Sequence, residues 1–185
     1  IPVICNGAAA APQAAAQPQN LIRRLVLNDI GPVLNAQAMT RIADYVGQAP
    51  VFTKFEQARD YVKLLSASFG EHDEAQWNKL ARDVLVEEQG NWHLSYDPAL
   101  ALPFRAMTPE SIEQAEQILW AAYDAIRCPT LLLRGDTSDM LSPDTALQMT
   151  QRGPKAQLQV LQNEGHAPTL LDYAQIALVK DFLLA

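Results

Sequence analysis

The chain has 185 residues, of which 49% are apolar and 19% are charged, a composition typical of a globular protein with one sizeable core. Its 14 Lys and Arg residues against 21 Asp and Glu residues give a formal net charge of −7, which argues against nucleic-acid binding, because nucleic-acid-binding proteins neutralise phosphates with clustered basic side chains. Uninterrupted apolar runs are too short for a membrane span, and two cysteines are too few for a disulfide framework, so a cytoplasmic location is expected.

The first part of the chain is compositionally distinct. Residues 1–20 are rich in Ala, Gln and Pro, and we expect them to be only partly ordered, since Pro12 and Pro18 interrupt an Ala-rich stretch that would otherwise favour a helix. The segment lacks the basic region of a secretory signal. Because the chain opens without Met and within an apolar run, we interpret it as a fragment or as a chain whose upstream sequence is missing.

The next part predicts one strand followed by helices. Residues 21–28 are short and apolar, which predicts a buried strand covering residues 24–28, and Gly31 and Pro32 end it. Apolar residues at helical spacing then predict three helices, over residues 35–47, 53–70 and 73–90. Thr53 and Glu56 have the spacing of a helix capping box. We interpret residues 35–107 as an inserted helical cap made only of helices and loops.

From residue 108 onward, helices and strands alternate. Thr108 and Pro109 are suited to begin a helix, Ser142 and Pro143 to begin a second, and residues 170–184 predict a third. Between them, residues 130–134 and 157–161 predict strands. This order indicates an α/β fold in which helices cover a parallel sheet built from residues 21–34 and 108–185. With only three strands predicted, the strand at 24–28 would expose an unpaired edge through which the chain could self-associate.

Ionisable residues occur in two of the predicted loops. Asp136 and Asp139 follow the strand at 130–134, and His166 follows the strand at 157–161. Because the carboxyl ends of parallel strands lie at one edge of the sheet, an acid and the imidazole could meet there, with the carboxylate orienting the ring for general-base chemistry. Asn28 and Asp29 could also reach this edge, but no catalytic role is predicted for them.

His72 and His93 lie in a polar turn and an irregular segment, where structural or exposed roles are expected. Their spacing to Cys, Asp or Glu does not suggest a metal site.

These motifs together resemble the α/β-hydrolase family. The resemblance rests on LVLNDIGP (residues 25–32), the helical insertion, PTLLLRGDTSD (residues 129–139) and the Gly165–His166 pair, and it covers most of residues 21–185, the C-terminal two-thirds of a usual member. It implies the α/β-hydrolase fold, with Asp139 as the acid and His166 as the base of a catalytic triad. Asp136 is the competing acid. It implies no cofactor and no metal.

The family's nucleophile is missing from this sequence. The resemblance implies a Ser within Gly-x-Ser-x-Gly, shortly upstream of the strand at 24–28, where this chain instead has Asn6, Gly7 and a run of alanines. None of the six serines lies in such a motif: Ser66, Ser68, Ser95, Ser111, Ser138 and Ser142. The oxyanion-hole loop of the family is absent also. We therefore predict that this chain alone is inactive.

Three functions are compatible with the sequence. The first is the C-terminal part of a hydrolase that acts on an ester or a carbon–carbon bond of a small carboxylic substrate. The second is a non-catalytic relative that binds small molecules. The third is an interaction fragment that lies on the sheet of a partner chain. In each case neither nucleic acid nor a membrane is an expected partner.

Overall fold

The computed structural model of the protein describes residues 2–5 and 22–185. Most of residues 1–20, for which partial order is expected, lies outside the described residues, and so does the region where the family's nucleophile turn is expected. The described chain divides into two compact units. One is built from the two ends of the chain, up to Asn35 and from Thr108 onward, and the other is the insertion, Ala36–Met107.

The strands are β1 (Pro2–Cys5), β2 (Arg24–Asn28), β3 (Leu85–Glu88), β4 (Asn91–Leu94), β5 (Thr130–Gly135) and β6 (Gln157–Leu161). The α-helices are α1 (Ala36–Tyr45), α2 (Phe55–Leu65), α3 (Glu74–Val84), α4 (Ala101–Arg105), α5 (Pro109–Asp124), α6 (Pro143–Gln151) and α7 (Tyr173–Leu184). Short 3₁₀ turns occur at Ala67–Phe69 and Pro98–Leu100.

The first unit is the predicted α/β fold. Its sheet has four parallel strands in the order β1-β2-β5-β6. Alternate residues of the central strands enter two cores, because successive side chains of a strand point to opposite faces. Leu25, Leu27 and Leu132 belong to one core, whereas Val26, Leu131 and Leu133 pack with α7 on the other face. Burial on both faces explains why β5 reads as a continuous apolar run.

A single tyrosine joins α5 to α6 within the first of these cores. Tyr123 is buried, and its hydroxyl donates a hydrogen bond of 2.5 Å to the carbonyl oxygen of Met149. Burial raises the pKa of Tyr123 well above its usual value, so the hydroxyl remains a donor at neutral pH.

The prediction of three strands, with β2 at an open edge, was wrong. Strand β1 pairs in parallel with β2, and Val3 lies opposite Leu25. The segment Pro2–Cys5 was missed because a run of four apolar residues is too short to distinguish a strand from part of another element. Since β2 lies between β1 and β5, its own edges are paired, and self-association of the chain stays a prediction.

The insertion was predicted to contain only helices and loops, but it also contains two strands. Helix α3 ends at Val84 instead of continuing to Gly90, and β3 and β4 form an antiparallel hairpin. Gln89 and Gly90, with φ of 52° and 78°, connect the two strands in the left-handed conformation that tight hairpin turns need. The apolar residues keep a helical spacing through Leu85, so the sequence did not reveal the change from helix to strand at this point.

The capping residues predicted for α2, α5 and α6 have different outcomes. The predicted capping box at Thr53 and Glu56 is wrong, because Lys54 is the residue that precedes α2 and its side chain makes no capping hydrogen bond. The predicted beginnings of α5 and α6 are confirmed, since Thr108 and Ser142 each accept a hydrogen bond from a backbone N–H of the first turn. Among the described helices, none has both the length and the apolar character needed to cross a bilayer.

Candidate active site

Three polar residues come together where parallel strands end. Asp29 directly follows β2, Ser138 lies in the loop after β5, and His166 lies in the loop after β6. Because these strands are adjacent and parallel, their carboxyl ends are at the same edge of the sheet, which is the usual position of ligand sites in open α/β sheets. All three residues belong to the first unit.

The His166 ring is fixed by Asp29. Its Nδ1 atom lies 2.9 Å from Oδ2 of Asp29 and 3.1 Å from the carbonyl oxygen of the same residue. A carbonyl oxygen only accepts hydrogen bonds, as does an ionised carboxylate, so Nδ1 must carry the hydrogen. In a neutral ring, Nε2 then holds the lone pair that a general base needs. The side chain of His166 is 17% exposed and that of Asp29 is fully buried.

The buried carboxylate of Asp29 is surrounded by donors. Its Oδ1 accepts from the backbone N–H of Gly135 at 2.9 Å, and its Oδ2 accepts from the hydroxyl of Ser138 at 2.5 Å. A charge removed from water is tolerated only when such partners replace the lost hydration. The backbone also contributes, because Asp29 N donates to Leu133 O at 2.9 Å while Asp29 adopts a φ of 57°. Asp is one of the few residue types that tolerate this left-handed conformation.

The histidine loop is held against the loop after β5 by backbone contacts. The carbonyl oxygen of Glu164 accepts from the N–H and the hydroxyl of Thr137, at 3.0 and 2.8 Å. In return, Glu164 N donates to a carboxylate oxygen of Asp136 at 3.2 Å. The side-chain amide of Asn28, which is buried, donates to the carbonyl oxygen of Pro168 at 2.9 Å. These bonds set the position of His166 from both sides of its loop.

Gly135 is required at the point where the two loops touch. A Cβ atom added to it would lie 2.5 Å from Glu164 O and 2.6 Å from Gly165 O, both of them backbone atoms. Real Cβ contacts are longer than this, so a side chain here would force the backbone of the histidine loop to move.

The predicted acids have different surroundings. Asp136 is partly buried and accepts from the backbone of Glu164, and Asp139 is exposed in the turn before α6. A hydrogen bond between Asp139 and His166 was predicted. In the structure, the Nδ1 atom of His166 donates a hydrogen bond to Asp29. The assignment of Asp139 as the acid thus stays a prediction, with Asp29 as its rival. The sequence did carry a signal for Asp29, because this acid directly follows an apolar strand that ends at the same sheet edge as the strand before His166.

His72 lies outside this site, in the insertion. Its Nδ1 atom is 3.0 Å from the carbonyl oxygen of Gly70, and its ring centroid is 4.8 Å from that of Trp77. These contacts agree with the structural role expected for it. Within residues 2–5 and 22–185, no group of three or more His, Cys, Asp or Glu residues is arranged to hold a metal ion.

The insertion contains an apolar cavity of its own. Its volume is about 510 Å³, which is large enough for a small organic molecule. No charged side chain lines it. The lining residues, all from the insertion, are Tyr45, Val46, Val62, Leu65, Ser66, Phe69, Leu80, Val84, Leu94, Tyr96, Leu100 and Phe104.

Comparison with known proteins identifies the family. The model of the alpha/beta hydrolase family matches residues 7–177, which is most of the chain. The chain belongs to this family. The parallel sheet of the first unit, with helices packed on it, agrees with that membership.

Individual relatives are hydrolases. A 3-hydroxybutyrate-oligomer hydrolase from Cupriavidus necator is 42% identical over 172 residues, which cover 91% of this chain and 59% of the relative. The crystal structure of an alpha/beta hydrolase from Novosphingobium aromaticivorans is 34% identical, with a TM-score of 0.78 over 96% of this chain and 62% of that one. E-2-(acetamidomethylene)succinate hydrolase, at 17% identity, shares the fold, with a TM-score of 0.74 over 98% of this chain and 66% of that one.

The chain therefore spans about three fifths of the length of the relatives that it matches at the higher identities.

Replacing Gly135 with Ala should displace the histidine loop. We expect the free energy of unfolding to fall by about 1–3 kcal/mol, because the new methyl group overlaps backbone oxygens that cannot rotate away. Urea denaturation measures this, and the imidazole N–H signal of His166 in NMR spectra should shift or broaden. In Gly90→Ala the added Cβ has open space, so this control should lose about 1 kcal/mol through its positive φ and leave the His166 signal unchanged. An unchanged His166 signal in Gly135→Ala would contradict the conclusion that Gly135 is required for the position of the histidine loop.

Proposed function

We propose that this chain carries the acid–base half of a Ser-His-Asp ester hydrolase, with His166 as the general base and Asp29 as the carboxylate that orients it. The observation that carries the proposal is the hydrogen bond from His166 Nδ1 to a fully buried carboxylate at the carboxyl ends of the strands. This bond sets the ring nitrogen that would face a nucleophile. The family membership of the chain supports a hydrolytic reaction.

The chemistry follows from the charge of the pair. A serine hydroxyl near Nε2 would transfer its proton to His166 as its oxygen bonds to the ester carbonyl carbon. The resulting imidazolium is stabilised by the negative charge of Asp29, and its proton later passes to the alcohol that leaves. Water repeats the sequence on the acyl-enzyme and releases the acid. Asp29 remains ionised throughout, and its three hydrogen-bond donors keep it in place.

The serine required by this route is not among the 185 residues in a Gly-x-Ser-x-Gly setting. Backbone donors for the oxyanion are also supplied by the family's upstream segment. We therefore propose that residues 1–185 by themselves do not hydrolyse esters through the triad. The complete reaction needs a strand, turn and helix that carry the nucleophile.

We propose an ester of a small hydroxy acid as the substrate. The relative from Cupriavidus necator is named for the hydrolysis of 3-hydroxybutyrate oligomers, whose units are joined by ester bonds. Ester hydrolysis is preferred here over carbon–carbon bond cleavage because of this relative.

The chain as it stands should not turn over p-nitrophenyl butyrate faster than its own His166→Ala variant. The reason is that His166 has no activated serine to deprotonate, and loss of the nucleophile in a triad enzyme costs about 10⁶-fold in turnover. Release of nitrophenolate, followed by absorbance, measures the rate. A rate well above background that disappears in His166→Ala would show that one of the six serines serves as a nucleophile.

Adding a nucleophile segment from a relative should separate the two candidate acids. Residues 1–21 are replaced by the part of the Cupriavidus necator relative that precedes the position aligned with Ile22. The product should hydrolyse a 3-hydroxybutyrate dimer. Asp29→Asn should lower kcat by about 10⁴-fold, because an amide favours the wrong ring tautomer. Asp139→Asn, at an exposed position, should stay within about twofold.

The opposite ranking of these two variants would identify Asp139 as the acid. If Asp29→Asn, Asp139→Asn and His166→Ala all remain active, the triad proposal is wrong. The variants are matched, since each replaces a carboxylate by an amide of the same shape.

Small-molecule binding without hydrolysis is a second candidate function. It is favoured by the apolar cavity of the insertion together with the absence of a Gly-x-Ser-x-Gly sequence. The full chain should enhance the fluorescence of N-phenyl-1-naphthylamine, a neutral apolar dye, and decan-1-ol should displace it. Leu80→Trp, which fills the cavity, should weaken dye binding at least tenfold, whereas Leu147→Trp, at an exposed position of α6, should not. Equal binding by both variants would show that the dye binds elsewhere.

A further inference from the structure

We propose that Ser138 is a positioning residue that aims the Asp29 carboxylate at His166. Its meaning for catalysis rests on the proposed function, but the hydrogen-bond arrangement stands independently of any activity. Ser138 is one of the serines outside a Gly-x-Ser-x-Gly motif, so it has no role as a nucleophile in the mechanism above. Its hydroxyl oxygen lies 2.5 Å from Oδ2 of Asp29, although the two residues are 109 positions apart in the chain.

The direction of this hydrogen bond follows from the other contacts of the hydroxyl. Ser138 Oγ accepts from the backbone N–H groups of Met140 and Leu141, each at 3.2 Å. A serine hydroxyl has two lone pairs and one hydrogen. Since both lone pairs face backbone donors, the hydrogen is left for Asp29. Ser138 is therefore a fixed donor to the carboxylate, and its hydroxyl cannot rotate away without breaking two other hydrogen bonds.

Asp29 is held at both oxygens by the end of β5 and the loop that follows it. Gly135 N donates to Oδ1, and Ser138 donates to Oδ2, which also accepts from His166 Nδ1. Two donors three residues apart define the plane of the carboxylate and prevent rotation about its Cβ–Cγ bond. The oxygen that faces His166 thus remains the same one, and hydrogen bonds to an ionised group are among the stronger ones in proteins.

The loop that provides these donors is itself anchored on β5. Ser138 N donates to Gly135 O at 3.1 Å, which closes a tight turn. The guanidinium of Arg134, a buried residue, donates through Nε to Leu141 O at 2.8 Å. The turn is therefore tied to the strand at both of its ends. Ser138 therefore connects the loop after β5 to the carboxylate of Asp29, the residue that follows β2.

The hydrogen-bonded Nδ1–H proton of His166 provides a direct readout in the unmodified full chain. The chain has three histidines, so His166→Gln assigns the signal in a ¹⁵N-labelled sample. Ser138→Ala should accelerate exchange of this proton with water by about tenfold, because the carboxylate that protects it gains freedom to rotate. Ser138→Thr, which keeps the hydroxyl, should restore slow exchange.

Two controls separate positioning from a general loosening of the loop. Thr137→Val removes a neighbouring hydroxyl that binds Glu164 O and not Asp29, so it should leave the exchange rate within about twofold. In Asp29→Asn, where the carboxylate is already lost, adding Ser138→Ala should cause no further acceleration. Circular dichroism checks that each variant is folded, and Ser138→Cys, with its weaker donor, replaces Ser138→Ala if that variant does not fold.

Unchanged exchange in Ser138→Ala would overturn the proposal. Equal acceleration in Thr137→Val, or full additivity with Asp29→Asn, would also overturn it, because either result indicates a structural effect that does not pass through the carboxylate. This outcome is independent of the hydrolase proposal. Failure of ester hydrolysis in the chain with the added segment would leave the exchange result standing, and failure here would leave a functional Asp29–His166 pair without this support.

Discussion

The structure of the site depends on a negative charge that is removed from water. Asp29 is fully buried, and a lone carboxylate in such a position would cost several kcal/mol. The cost is met by donors from three separate parts of the chain: a backbone N–H at the end of β5, a hydroxyl in the following loop and the imidazole after β6. Each of these parts is consequently held in position by the need to satisfy the same carboxylate.

The parallel sheet makes this convergence achievable. Adjacent strands β2, β5 and β6 run in the same direction, so three loops that are distant in sequence begin at one edge. The close approach at Gly135 then brings the loops after β5 and β6 into backbone contact. With flexible loops alone, the entropy lost in ordering three segments would exceed the gain from three hydrogen bonds. The buried strands beneath them provide the order in advance.

The sequence predicted the parts of this arrangement that are local. The apolar run of β5, the polar loop that ends in His166 and the cap residues of α5 and α6 are all readable from neighbours in the chain. The partner of His166 is not a local property. Asp29 is 137 positions away from it, and the insertion lies between β2 and β5, so the nearer acids after β5 were favoured. Strand β1 and the β3–β4 hairpin were missed because short apolar runs do not fix a period.

The two units meet different requirements: the first holds the Asp29–His166 pair, and the insertion contains the apolar cavity. The three donors to the Asp29 carboxylate, from Gly135, Ser138 and His166, belong to the first unit, and the residues that line the apolar cavity belong to the insertion. Acid–base geometry needs distances fixed to within tenths of an ångström, which a close-packed parallel sheet supplies. Apolar binding needs volume and shape, which apolar substitutions of similar size can vary at a cost of less than about 1.5 kcal/mol. Substitutions of cavity residues can therefore change the volume and shape of the cavity while every residue that donates to the Asp29 carboxylate is kept.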